Sequence, residues 1–268
     1  MIPPVSTTLA AVATDDAARR TRKHVSTIRG IRGVPGPELT KIVARAAETP
    51  VALPDDATAL TQLFGTAWED GLVAIGLLAT TVRDTPAEAL ALGIAWAART
   101  DDVATADALG WLVIGPAAVM ADDLDAVLGL AGQPRPESRR VAVSAGLAWT
   151  PTPIEGPSAA ALRTTLGERH LAMVDRPLGP WIGRLCARFV RDANPAVQKA
   201  VRRVLRAWAD VDPNAVVAWA PTVRGGLPRL LGAVVDDAKA AVRFLDEADE
   251  NDENDDDLHP DDVDEESP

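Results

Sequence analysis

An all-α fold is what this sequence predicts, and three observations predict it. Ala, Leu and Arg dominate the first 245 of its 268 residues. Strand-like alternation of apolar and polar residues is absent. The punctuation is that of helix ends: most of the 21 prolines stand at first-turn positions or just after a glycine, where a missing N–H costs little. About a dozen helices with short connections follow, consistent with stacked helical hairpins.

The elements justify this reading in order. The N-terminus, "MIPPVSTTLAAVATDDAARR", lacks a charged n-region, and its apolar run is broken by Pro and Thr, so it does not read as a signal peptide. "EDGLVAIGLLA" (69–79) sets an acidic pair before an Ala-rich apolar helix. "DTPAEALALGIAWAA" (84–98) offers Asp84 or Thr85 as N-cap, Pro86 at the first position and Glu88 in the first turn. "GWLVIGP" (110–116) is expected to close a helix, with Gly115 followed by Pro116. "ESRRVAVSAGLA" (137–148) repeats the polar-pair pattern, and "NPAVQKAV" and "DPNAVVAW" open with Asn or Asp before Pro, as capped helices do.

Three of these segments echo one another. Aligned on Ala74, Ala142 and Ala200, they stand 68 and 58 residues apart, which is not a clean period. A degenerate HEAT-like solenoid fits that echo, each helical pair burying its face only against its neighbours. A plain multi-helix bundle is the alternative, and the ordered echo favours the solenoid.

Composition bounds the rest. One cysteine, Cys186, excludes an internal disulfide and suits a reducing compartment. Three histidines and that cysteine are too far apart to show metal-ligand spacing. No apolar run approaches the roughly 18 residues of a membrane span, so a soluble cytoplasmic protein is expected. The formal net charge of −12 is misleading, because 14 acids and no Lys or Arg lie beyond Leu245. Residues 1–245 carry a net charge of +2. We therefore expect a folded domain over 1–245 and a disordered acidic tail over 246–268, whose like charges repel and bury nothing. That tail resembles a calcium loop only superficially, since the mid-loop glycine is absent.

Within the folded part, one helix poses a question. In "PAVQKAVRRVLRAWADVDPNAVVAW" (195–219), Val197, Val201, Val204, Leu205 and Trp208 form an apolar stripe, and Lys199, Arg202, Arg203 and Arg206 form a second, cationic one. The preceding "PWIGRLCARFVRDANP" sets Arg184, Arg188 and Arg191 at similar spacing. Seven cations on adjacent helices could line a groove for a duplex backbone, whose neutralised phosphates release counterions. Equally, they could form a solvated face whose arginine stems cover apolar surface.

Here the sequence resembles a known family, the AlkD-type DNA alkylation repair proteins, which are HEAT-like alkylpurine DNA glycosylases. Five blocks match in order between about residues 30 and 235. They are "RGVPGPELTKIVARAAE", "AWEDGLVAIGLLA", "DDVATADALGWLVIG", "ESRRVAVSAG" and "VQKAVRRVLRAWADVDPNAVVAW", the last being the most specific. The resemblance implies an α-solenoid with a concave basic surface and duplex DNA, damaged or structured, as partner. It implies a glycosylase acting on cationic N3- or N7-alkylated purines, without metal or organic cofactor. Asp107 takes the place of the aspartate that stabilises charge developing on the sugar, which is sound chemistry for a fixed carboxylate. From the acid-rich "TDDVATAD" alone, Asp107 could equally be a surface or capping carboxylate.

The same resemblance makes Arg140, Lys199 and Arg206 phosphate contacts, and Arg184, Arg188, Arg202 and Arg203 complete the expected DNA-binding set. Two family tryptophans that hold the cationic lesion are replaced, by Val103 and Arg203. An indole face is worth about 0.5–2 kcal/mol to a cation, and an arginine repels one. Trp111, one turn after Asp107, could supply a face, but it reads better as a core residue beside "LVIG". The rival functions are a catalytically inactive relative that binds DNA, or a protein-interaction scaffold. A monomer associated with the nucleoid is the expected state.

Overall fold

The computed structural model describes residues 5–149 and 179–255. They form α1 (Val5–Val12), α2 (Asp15–Arg22), α3 (Gly36–Ala46), α4 (Ala57–Thr66), α5 (Trp68–Thr81), α6 (Pro86–Ala97), α7 (Val103–Leu109), α8 (Gly115–Met120), α9 (Leu124–Gly129), α10 (Pro136–Ala145), α11 (Gly179–Phe189), α12 (Pro195–Val211), α13 (Pro213–Trp219) and α14 (Arg229–Asp255). Among the described residues there is no strand, only an isolated bridge between Gly30 and Ala67. The fold is all-α.

Local chemistry sets the helix starts. Pro86 begins α6 with Thr85 as N-cap, while Asn194 and Asp212 accept from the backbone N–H of Ala196 and Ala215 to start α12 and α13. The helices then stack in two rows. α5, α7, α10, α12 and α14 pack in succession, and α4, α6, α8, α9, α11 and α13 do so beside them. This is a helical repeat. Its step was hidden because α7 lies between the two echoing segments. Ala74, Ala108 and Ala142 are equal steps of 34 residues apart, and all three are buried.

Gly115 and Pro116 do not end a helix, contrary to the sequence expectation. A π-helical turn, Gly110–Ile114, joins α7 to α8 without a break. Pro116 removes an N–H and crowds the carbonyl four residues back, and widening that turn relieves both. The glycines have another purpose. A Cβ at Gly110 would collide with the Val141 carbonyl oxygen, and one at Gly115 with that of Ala145. They let α7–α8 approach the α10 backbone closely. The resulting helix, Val103–Met120, is 18 residues long with mean hydropathy 1.6, apolar enough by length and composition to cross a membrane. It is 83% buried inside the fold and belongs to its core.

The last helix runs into the acidic segment. α14 continues to Asp255, past the expected boundary at Leu245. Leu231, Val234, Val235 and Ala238 are buried and anchor its first turns, from which helix propagates cheaply once nucleated. The rest of the acidic tail, 256–268, lies outside the described residues.

Candidate functional site

Asp107 sits where three helices meet. Asp102 caps α7 by accepting from the Thr105 N–H at 2.8 Å, which fixes the first turn and sets Asp107 one turn beyond Val103. The π turn that follows presses α7 against α10, and the Asp107 carboxylate is 5% exposed. Arg140 of α10 donates Nε to Oδ1 and Nη2 to Oδ2, each at 2.7 Å. Ser144, one turn further along α10, donates to Oδ1 at 2.7 Å. Arg203 of α12 donates Nη1 to Oδ2 at 2.8 Å. Each carboxylate oxygen thus accepts two hydrogen bonds, the full capacity of the group.

This arrangement corrects one assignment. Arg140 was expected to contact a phosphate, yet its side chain is 2% exposed and its third arm donates to the Ala196 carbonyl. The packing of α10 between α7 and α12 turns it inward, so it holds the Asp107 carboxylate and is closed to solvent rather than open to a phosphate. Arg203 stands beside Asp107, where the resemblance puts a tryptophan, and it is the most open of the carboxylate's two guanidinium partners at 24%. Asp107 is therefore neither a surface acid nor a cap. Trp111 is buried in the core.

The cationic row is only partly unpaired. Arg206 lies 3.4 Å from Asp237 of α14, and Arg184 is 2.8 Å from Asp125 of α9; all four side chains are more than half exposed. Pairs in that setting contribute little, about 0–1 kcal/mol, and exchange readily. Arg188, Lys199 and Arg202 are exposed and meet no carboxylate among the described residues. Helices α11 and α12 pack together, so these cations stand on neighbouring helices. Leu128, Arg184, Ala187 and Arg188 line a shallow groove between α9 and α11. Arg191 is occupied elsewhere, donating to Gly225.

The connection between α11 and α12 is held rigidly. Gln198 donates to the carbonyls of Phe189, Val190 and Asp192. Arg139 of α10 grips Asp192 at 2.6 and 3.1 Å. Burial pushes the Asp192 carboxyl up, but Arg139 and the Asn194 N–H outweigh it and hold the group below its ordinary range. Burial pushes the Cys186 thiol well above its ordinary value, which leaves it inert.

A second network escaped the sequence reading. Arg29, in the loop between α2 and α3, reaches Asp101, Asp102 and Thr105. Burial raises Asp101, while Thr27, Arg29 and the Ile28 N–H together bring it below its usual value. Arg32 pairs with buried Asp70, and buried Glu69 accepts from the N–H groups of Arg32, Gly33 and Val34. The available signal was two arginines in "IRGIRG" answering the acids of "WEDG" and "TDD".

Chemically, the site is one dry, fixed carboxylate between two guanidiniums, beside exposed cations on the same helix as the second guanidinium. Among the described residues no group of three or more His, Cys, Asp or Glu side chains converges as a metal site would. The family model described as "DNA alkylation repair enzyme" matches residues 5–231. No curated protein matches the chain.

Proposed function

The chain belongs to the DNA alkylation repair enzyme family, the AlkD-like proteins, and from that premise we propose that it grips duplex DNA with the α11–α12 face and excises cationic alkylated purines. One observation carries this reading: buried Asp107 is tied through Arg203 to the helix bearing exposed Lys199, Arg202 and Arg206. A backbone laid along those cations brings a damaged nucleotide to the carboxylate. Phosphate contacts position the duplex without reading its sequence.

An N3- or N7-alkylated purine already carries positive charge. When its glycosidic bond breaks, the electron pair moves to the base and neutralises it, and positive charge appears at the sugar carbon. A carboxylate held in place stabilises that charge without having to reorganise. Water then adds to the sugar carbon and loses a proton. Arg140 and Ser144 keep Asp107 aimed throughout. Arg203 is the partner that must yield, because its charge opposes both the lesion and the oxocarbenium-like centre. Its 24% exposure gives it a path out, and an incoming phosphate gives it a new partner.

The same ion pair favours a second reading, in which Arg203 stays and the protein binds DNA without excision. Two guanidiniums and one carboxylate leave the trio at +1, and Val103 offers no indole face. Incubation with methylated duplex DNA, followed by chromatography of free bases, separates the two. Released methylpurine supports the glycosylase. Duplex binding by anisotropy without release supports the binder, and no binding to duplex contradicts both.

A further inference from the structure

A second basic patch lies away from the α11–α12 face. Helix α2 ends in Arg19, Arg20 and Arg22, with Lys23 as its C-cap, and all four are exposed. Asp16 attends Arg19 and Arg20; Arg22 and Lys23 meet no carboxylate among the described residues. Five residues past Lys23 stands Ile28. It is 89% exposed, more than any other large apolar side chain described.

Single exposed apolar residues are ordinary. Ile28 is unusual because its backbone is fastened so that the side chain cannot fold back. Its own N–H donates to Asp101 Oδ2 at 2.7 Å. On one side the Thr27 hydroxyl donates to the same oxygen at 2.7 Å. On the other, Arg29 is held by Asp101, Asp102, Thr105 and the Phe64 carbonyl, with its guanidinium 5.3 Å from the Phe64 ring centroid. Val103, two residues past Asp101, is itself 45% exposed. Two of the five exposed large apolar side chains thus flank one buried carboxylate beside a basic strip.

We infer that the Arg22–Ile28 loop is a second duplex contact. Arg22 and Lys23 take phosphates, and Ile28 presses into the minor groove as an apolar wedge against a base step. Cations paired with a rigid aliphatic wedge suit that groove, whose walls are phosphate and whose floor is base edge and sugar. The loop is fastened to the start of α7, and the cationic row lies on α12, two helix spacings away. At 8–10 Å per spacing the two contacts stand about 16–20 Å apart. That is about five base pairs at 3.4 Å each.

This inference rests on the proposal that duplex DNA is the partner, and the test separates the two. Full-length protein is titrated with labelled duplex across a salt series. A parallel duplex carries 2-aminopurine at successive positions and reports unstacking by fluorescence. Arg22→Ala/Lys23→Ala should lower the salt slope by about two units. Ile28→Ala should leave both slope and melting temperature unchanged, weaken binding about tenfold and abolish the 2-aminopurine rise. Arg202→Ala should lose about one unit of slope and keep the rise. If the unaltered protein binds duplex and the loop variants match it, the loop is no contact and the inference fails. A slope change in the double variant with no effect of Ile28→Ala overturns the wedge. Absence of duplex binding by the unaltered protein overturns the DNA proposal and this inference together.

Discussion

Arg203 of α12 and Asp107 of α7 are joined by a 2.8 Å ion pair that spans 96 residues of sequence. The carboxylate that would stabilise a cationic transition state is thereby already engaged in the free protein. Arg203 is the more exposed of the carboxylate's two guanidinium partners.

Removing that guanidinium should open the site. Arg203→Ala leaves Asp107 held by Arg140 and Ser144, and takes one positive charge from beside the lesion. Release of methylpurine from alkylated duplex should rise, on the order of tenfold, since about 1.4 kcal/mol of relieved repulsion corresponds to that factor. Arg203→Trp should raise it further by offering an aromatic face. Slower release by both variants would mean that Arg203 itself promotes the chemistry.

Arg140 should behave as a structural residue. Arg140→Ala removes two of the four donors to a buried carboxylate, and breaking a buried pair costs about 3–5 kcal/mol. Chemical denaturation should show that loss, and Asp107→Asn in the same chain should recover part of it. If Arg140→Ala keeps full stability but lowers the salt slope of DNA binding, the residue contacts phosphate after all.

The close approach of α7–α8 to α10 should tolerate no added carbon. Gly110→Ala and Gly115→Ala each drive a methyl into a backbone carbonyl of α10, and overpacking of this kind costs about 1–3 kcal/mol. Gly129→Ala, with open space around it and helical backbone angles, is the control and should hold or slightly raise the denaturation midpoint, since Ala is the better helix former. Equal midpoints for all three would contradict the packing described.

Much of the fold was legible because its signals are local. Pro86, Asn194 and Asp212 mark helix starts through their own local chemistry, and for Asn194 and Asp212 an N–H two or three residues on completes the cap. Gly115 and Pro116 were misread for the opposite reason. A glycine needed for contact with a partner 30 residues on looks, in sequence, like a glycine that ends a helix. The site was half legible. The resemblance pointed to Asp107 and placed Arg203 at the cleft, but it also made Arg140 and Arg206 equivalent phosphate contacts. Only the stacking of α10 between α7 and α12 buries one and exposes the other. Pairing of charges 33 and 96 residues apart depends on which helices are neighbours, and no residue count reveals that.

Acid should loosen two places, the α11–α12 connection at Asp192 and the start of α7 at Asp101. The folded-state carboxyls of Asp192 and Asp101 lie below their ordinary values, so their contribution is fully present above the unfolded value of about 3.9 and is lost as pH falls through the folded one. Melting temperature should therefore be flat from pH 7 to about pH 5 and fall below about pH 4. Asp192→Asn should lower it at neutral pH and flatten the acid limb. An acid limb unchanged in that variant would remove Asp192 from the account.

The most direct test of the central claim is single-turnover release of methylpurine by Asp107→Asn. The substitution keeps the shape of the side chain and removes its charge, so it should act on rate and leave duplex affinity nearly unchanged. The account predicts that most base release disappears, about a hundredfold or more, the range seen when a transition-state-stabilising group is lost. Release at the unaltered rate from a folded, DNA-bound Asp107→Asn protein would contradict it.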